Sequence, residues 1–135
     1  MRVLLDTNVV LDFVIERQPF FIEADEIFVR LENNKFEGFV SAITPINVFY
    51  VTRKEKGKDV AFQAVADLFK VVEIARNDKL VFQNALSLNF NDYEDAVQCA
   101  CAVAGNLDAI VTRDTKDFTN SPIQIYSPTE FLKQI

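Results

Sequence analysis

The sequence predicts an α/β fold, a parallel sheet covered on both faces by helices, and three observations predict it. Short apolar runs alternate with longer stretches of helical periodicity along the whole chain. The runs are continuous, as in Val3-Leu4-Leu5 and Ile110-Val111, which suits strands buried on both faces. Capping or turn residues mark each change of rhythm.

Arg2 to Leu5 reads as the first strand and ends abruptly at Asp6. Asp6-Thr7-Asn8 offers N-cap chemistry before Val9-Val10-Leu11-Asp12-Phe13-Val14. Pro19 opens a second helix with Phe20, Ala24, Ile27, Phe28 and Leu31 at helical period, and Asn33-Asn34 ends it. Phe36 to Val40 is strand two, and Ser41 caps a helix running from Pro45 towards Lys56, with Gly57 as its stop. Asp59 starts another helix carrying Ala61, Phe62, Val65, Ala66 and Phe69. Val71 to Ile74 is strand three. Asn77 or Asp78 caps a short helix through Leu86, and Asp92 caps a longer one through Ala104, stopped by Gly105 and Asn106. Ala109 to Thr112 is strand four, Ile123 to Tyr126 strand five, and Thr129 to Gln134 a closing helix.

Composition bounds the rest. The 135 residues fit one domain, 1–135, and a hydrophobic share of 50% supports a sizeable core. Three Gly, four Pro and no Gly/Ser-rich stretch argue against an internal linker. No apolar run approaches the roughly 18–20 residues that span a bilayer. The N-terminal run is too short for a signal peptide, so a soluble, cytoplasmic protein is expected, with no membrane partner. Cys99 and Cys101, two apart in a helix, point to different sides and do not pair. With no histidine and no further cysteine, structural zinc lacks ligands. The net charge of −6 counts against tight sequence-independent nucleic-acid binding. Arg53, Lys54, Lys56 and Lys58 nevertheless concentrate positive charge within six positions.

In an open parallel sheet, ligands bind beyond the carboxyl ends of the strands. Acids stand there twice: Asp6 after strand one, and Asp114 with Asp117 after strand four. The helix capped near Asp92 adds Glu94 and Asp95, and Asp92 and Asp95 share a helix face. Each acid has an ordinary alternative. Asp6 reads equally well as a helix cap, Asp92 with Asp95 as a capping pair favoured by the helix dipole, and Asp114 and Asp117 as turn residues. Glu94 is expected to face solvent or a neighbouring base. Convergence is harder to explain away, because carboxylates about 4 Å apart repel by roughly 4 kcal/mol at an effective dielectric near 20. If Asp6, Asp95 and Asp114 converge, a cation or proton must offset that repulsion. Oxygen ligands alone suit Mg²⁺ or Mn²⁺, and a metal so held serves phosphodiester hydrolysis.

Three segments carry a family resemblance: Leu4-Leu5-Asp6-Thr7-Asn8, Tyr93-Glu94-Asp95-Ala96, and Val111-Thr112-Arg113-Asp114-Thr115-Lys116-Asp117-Phe118. In this order and spacing, with Ser41-Ala42-Ile43-Thr44 after strand two, the chain resembles the PIN-domain nucleases, whose best-known members are VapC-type toxins. The resemblance implies a three-layer α/β/α sandwich with a central, mainly parallel sheet of about five strands. It also implies a Mg²⁺- or Mn²⁺-dependent endoribonuclease, the toxin of a toxin–antitoxin pair, with RNA as substrate, an antitoxin partner and a homodimeric state. By position, Asp6, Asp95 and Asp114 match the family's metal-binding acids, with Asp117 close by, and Thr112 matches a supporting hydroxyl. Asn8 and Ser41, within these blocks, and Asp92, just before one of them, stand as supporting residues. One departure is Asn47, which occupies the place of a family Glu in the helix after strand two; it brings no charge and cannot act as a base.

Arg53, Lys54, Lys56 and Lys58 are candidates to steer an RNA backbone, the alternative being a solvated face interleaved with Glu55 and Asp59. Arg17 and Arg113 lie near the candidate loops and are further candidates for phosphate contact. The thirteen Phe are mostly core, with the surplus on the second and fourth helices suited to a dimer face or an antitoxin groove. Other readings fit less well. A haloacid-dehalogenase-like phosphatase needs an Asp where Asn8 stands, and a receiver domain needs one after Val71-Val72-Glu73-Ile74. A non-catalytic RNA- or protein-binding module on the same fold is kept open by Asn47.

Overall fold

The computed structural model describes Met1–Ile135. Strand β1 (Arg2–Leu5) leads into α1 (Thr7–Val14) and α2 (Phe21–Glu32), then β2 (Glu37–Val40). Helices α3 (Ile43–Lys56) and α4 (Lys58–Leu68) precede β3 (Val72–Ile74). Helices α5 (Lys79–Ala85) and α6 (Tyr93–Ala104) precede β4 (Ala109–Val111). A 3-10 turn (Thr115–Phe118), β5 (Gln124–Tyr126) and α7 (Pro128–Leu132) complete the chain. The five strands form one sheet in the order β3-β2-β1-β4-β5, and every pairing is parallel.

Alternation along the strands creates the two outer layers. Val3 and Leu5 of β1 join a core built with Val9, Val10, Ile27, Phe28, Val48, Leu68 and Phe131, so α1, α2, α3, α4 and α7 cover one face. Leu4 joins Val81, Ala85, Val97, Cys101 and Ile110, so α5 and α6 cover the other. Central strands buried on both sides need apolar residues at every position, which is why β1 and β4 read as unbroken runs. The result is the three-layer α/β/α sandwich.

Boundaries differ from the sequence expectation by one or two residues. Helix α3 opens at Ile43, before Pro45, because proline is tolerated in a first turn where its missing N–H has no partner to lose. Gly57, with φ of 90°, separates α3 from α4, and α4 then begins at once with Lys58. Asp78 and Asp92 cap α5 and α6 through their side chains, as their positions predict. Both cysteines are buried and unpaired. No helix is long and apolar enough to cross a membrane.

Candidate active site

From β1 the chain crosses to β2 on one side of it, while β4 lies on the other, so the order reverses between β1 and β4. At such a reversal, crossovers leave towards opposite faces and a crevice opens at the carboxyl ends of the strands. Asp6 stands in that crevice. Its backbone N–H donates to the Val111 carbonyl at 3.0 Å, which sets the residues following β1 and β4 at one level.

Asp6 occupies the N-cap position of α1, yet its carboxylate makes no capping bond. It is 4% exposed and instead accepts from the Thr112 hydroxyl at 2.6 Å and from Gln98 Nε2 at 2.8 Å. Both partners are neutral. Burial therefore pushes the Asp6 carboxyl up, against the pull of those two hydrogen bonds and of the Thr7 backbone N–H, and the nearby Asp114 charge adds to the rise. Thr112, itself fully buried, also accepts from the Asp114 N–H at 3.0 Å, so one hydroxyl sets the spacing of two acids. The Asp114 carboxylate accepts from Asn8 Nδ2 at 3.0 Å.

The first turn of α6 supplies the opposite wall. Asp95 is half-buried, and its carboxyl is pushed up to about 7, chiefly by burial and then by the charges of Asp6, Asp92, Asp117 and Glu94. Asp117, exposed in the 3-10 turn, is thus within electrostatic reach of Asp95. Asp92 is exposed and caps α6 by accepting from the Glu94 N–H at 3.3 Å. Glu94 departs from its sequence expectation. It faces neither a base nor open solvent but is half-buried, accepting from Asn47 Nδ2 at 3.0 Å. Burial, then Asp92 and Asp6, raise its pKa against that bond.

Asn47 reaches the crevice because α3 is anchored to α1: the Thr7 and Thr44 hydroxyls, both buried, meet at 2.8 Å. Ser41, fully buried, accepts from the Ile43 N–H at 3.2 Å and sets the turn into α3. Gln98 is the participant that the sequence reading missed. Its signal was a lone polar residue inside the otherwise apolar stretch Ala96–Ala102, four positions after Glu94 and so on the same helix face.

The candidate basic residues divide. Arg53, Lys54 and Lys56 end α3 and Lys58 begins α4, all exposed, with the three on α3 roughly 9 to 14 Å along the axis beyond Asn47 at 1.5 Å per residue. Arg113 is held back from the surface. Its Nε and Nη2 donate to Asp12 at 2.6 and 3.3 Å, and its guanidinium lies 3.8 Å from the centre of the Phe20 ring. Arg17 donates to the same carboxylate at 2.9 Å and to the Asn8 carbonyl at 3.2 Å. Asp12, 1% exposed, therefore clamps α1 to the residue that precedes Asp114.

The donor set suits a hard divalent cation. All candidate ligands are oxygens, and Asp6, Glu94 and Asp95 each carry charge at a cost that a cation would relieve. Two buried carbonyl oxygens of the same crevice, Asn8 Oδ1 and Gln98 Oε1, have no hydrogen-bond partner. No three acidic side chains gather closely enough to enclose an ion by themselves. That open arrangement fits Mg²⁺, which keeps part of its water shell and binds through one or two carboxylates plus substrate phosphate.

A five-stranded parallel α/β/α domain with a buried acid at its strand-order reversal is the class that fold and site define. The family model described as PIN domain matches residues 2–116, and the chain belongs to that family. Its fold is similar to that of a chain in DNA-bound VapBC from Salmonella typhimurium, with a TM-score of 0.73 and 19% identity over 95% of this chain and 98% of that one. A chain of a toxin–antitoxin complex from Klebsiella pneumoniae aligns with a TM-score of 0.71 and 24% identity, covering 93% and 97%. A chain of VapBC2 from Rickettsia felis, bound to a DNA fragment from their promoter, aligns with a TM-score of 0.69 and 16% identity, covering 94% and 98%. No curated protein matches the sequence.

Proposed function

We propose that this protein is a Mg²⁺- or Mn²⁺-dependent endoribonuclease, the toxin component of a toxin–antitoxin pair. One observation carries the reading: Asp6, buried at the strand-order reversal of a PIN domain, leaves its capping role unused and lies within electrostatic reach of Asp95 and Asp114. In this reading Asp6, Asp95 and Asp114 hold the cation. Thr112 and Gln98 fix the Asp6 carboxylate, Asn8 orients Asp114, and Asp117 adds negative field at Asp95. A bound divalent cation supplies an activated water and stabilises charge on the phosphoryl oxygens. The exposed Arg53, Lys54, Lys56 and Lys58 steer the RNA backbone, whereas Arg113 acts through Asp12 to position the Asp114 loop.

The partner proposals rest on surfaces. A groove of about 610 Å³ between α1, α2 and α4 has an apolar floor that includes Phe13, Phe21, Phe28 and Leu68. Glu16, Asp25, Glu32 and Asp67 line it against the one cation Lys70, which favours an amphipathic antitoxin segment with a basic edge. Exposed Tyr50 and Phe62 on the α3–α4 pair suit a homodimer contact. That a structural neighbour comes from a toxin–antitoxin complex supports the antitoxin reading.

The test is cleavage of single-stranded and structured RNA by the full chain with Mg²⁺, with EDTA, and by the Asp6→Asn and Asp95→Asn variants. Cleavage that needs Mg²⁺ and falls at least about 100-fold in both variants upholds the proposal. Equal behaviour of all three proteins overturns it in favour of a non-catalytic RNA- or protein-binding PIN module, the reading that the uncharged Asn47 favours.

A further inference from the structure

We infer that Glu94, held in place by Asn47, is a further cation-binding residue of this site and supplies the negative charge that position 47 lacks. The inference rests on the cation-site reading above and extends it to a side chain outside the Asp6, Asp95 and Asp114 set. Position 47 cannot carry the charge itself, since a primary amide is neutral at every physiological pH. Its helix is nonetheless fixed at the crevice by the buried Thr7–Thr44 bond, and Asn47 lies one turn beyond Thr44 on the same face. There its Nδ2 donates to Glu94 Oε1 at 3.0 Å, which leaves the second Glu94 oxygen without an intramolecular hydrogen bond.

Glu94 also stands on the face of α6 that meets Asp6. Four residues on, Gln98 donates to Asp6, and its Oε1, in a side chain only 1% exposed, has no partner. That orphaned carbonyl, on the same amide whose nitrogen holds Asp6, is an independent sign of a ligand, because buried polar atoms are otherwise paired. No arginine or lysine pairs with Glu94: Arg113 donates to Asp12, and Arg17 donates to Asp12 and to the Asn8 carbonyl. A mere tether between α3 and α6 needs no charge at position 94; an uncharged glutamine serves equally well.

The experiment is calorimetric titration of the metal-free full chain with Mn²⁺, comparing wild type with Glu94→Gln, the Asn47→Glu/Glu94→Gln double variant and Asp6→Asn. Circular dichroism on each sample reports folding. The inference expects Glu94→Gln to weaken Mn²⁺ binding by roughly 10- to 100-fold while leaving the fold intact. It expects the double variant, which moves the charge back to position 47, to recover most of that loss. Wild-type affinity in Glu94→Gln, together with loss of binding in Asp6→Asn, overturns the Glu94 assignment and leaves the site reading standing. A double variant no better than the single also overturns it. Mn²⁺ binding that survives Asp6→Asn overturns the site reading itself, and this inference with it.

Discussion

Asp12 offers the sharpest quantitative prediction. Its carboxylate is 1% exposed and accepts three guanidinium hydrogen bonds, from Arg17 at 2.9 Å and from Arg113 at 2.6 and 3.3 Å. Asp12→Ala removes the acceptor and leaves two cations facing each other across an apolar hole. Breaking a fully buried ion pair costs about 3–5 kcal/mol. The two arginine side chains retain 35% and 25% of their exposure, so partial rehydration lowers the cost here to about 2–3 kcal/mol. For a chain of 135 residues that corresponds to a fall in Tm of roughly 10 °C. Urea unfolding followed by circular dichroism reads the change directly. Replacing both arginines by Met in the Asp12→Ala background should recover part of the loss, because the unpaired cations go with the anion. A fall below about 1 kcal/mol, or no recovery on removing the arginines, would refute the assignment of Asp12 as the clamp on the Asp114 loop.

Three further outcomes are expected. In EDTA, stability should decline as pH rises from about 4 to about 7. The folded chain keeps a proton on Asp95, pushed up to about 7, while the unfolded chain has already released it near the ordinary aspartate value of 3.8, so the native state binds more protons across that window. Thermal melts across the range should show Asp95→Asn with a flatter profile, and an unchanged profile sinks the assignment. Thr112→Val deletes the hydroxyl that donates to Asp6 and accepts from Asp114; denaturant titration should show a loss of about 1–3 kcal/mol. Charge removal in Arg53→Ala/Lys54→Ala should weaken RNA binding and shallow its salt dependence by up to about two ions, read by fluorescence anisotropy at several salt concentrations. A slope equal to wild type would remove these residues from the RNA path.

How far the sequence discloses the molecule depends on the range of the interaction concerned. β1 and β4 were legible because burial on both faces forces unbroken apolar runs, and Asp78 and Asp92 because a cap and its helix are neighbours in the chain. Asp6 was legible as a strand-end acid, but its choice between capping and chemistry was not. That choice is made by Thr112 and Gln98, separated from it by 106 and 92 positions. Gln98 was missed because helical periodicity locates a buried face without saying which polar residue on it is wanted there. Arg113 read as a basic residue near a phosphate site, whereas its partner Asp12 lies 101 positions away inside an apolar helix. Glu94 was the same kind of case: its partner Asn47 drew notice only for the charge it lacks.

A cation at Asp6 is the centre of the proposed chemistry, and crystals of the full chain soaked in Mn²⁺ locate one directly by anomalous scattering. The account predicts a peak in the crevice within about 2.2 Å of an Asp6 oxygen, with Asp95 or Asp114 as a further protein ligand and water filling the remaining positions. A fully soaked crystal whose only Mn²⁺ lies away from Asp6, or that shows none, would contradict it.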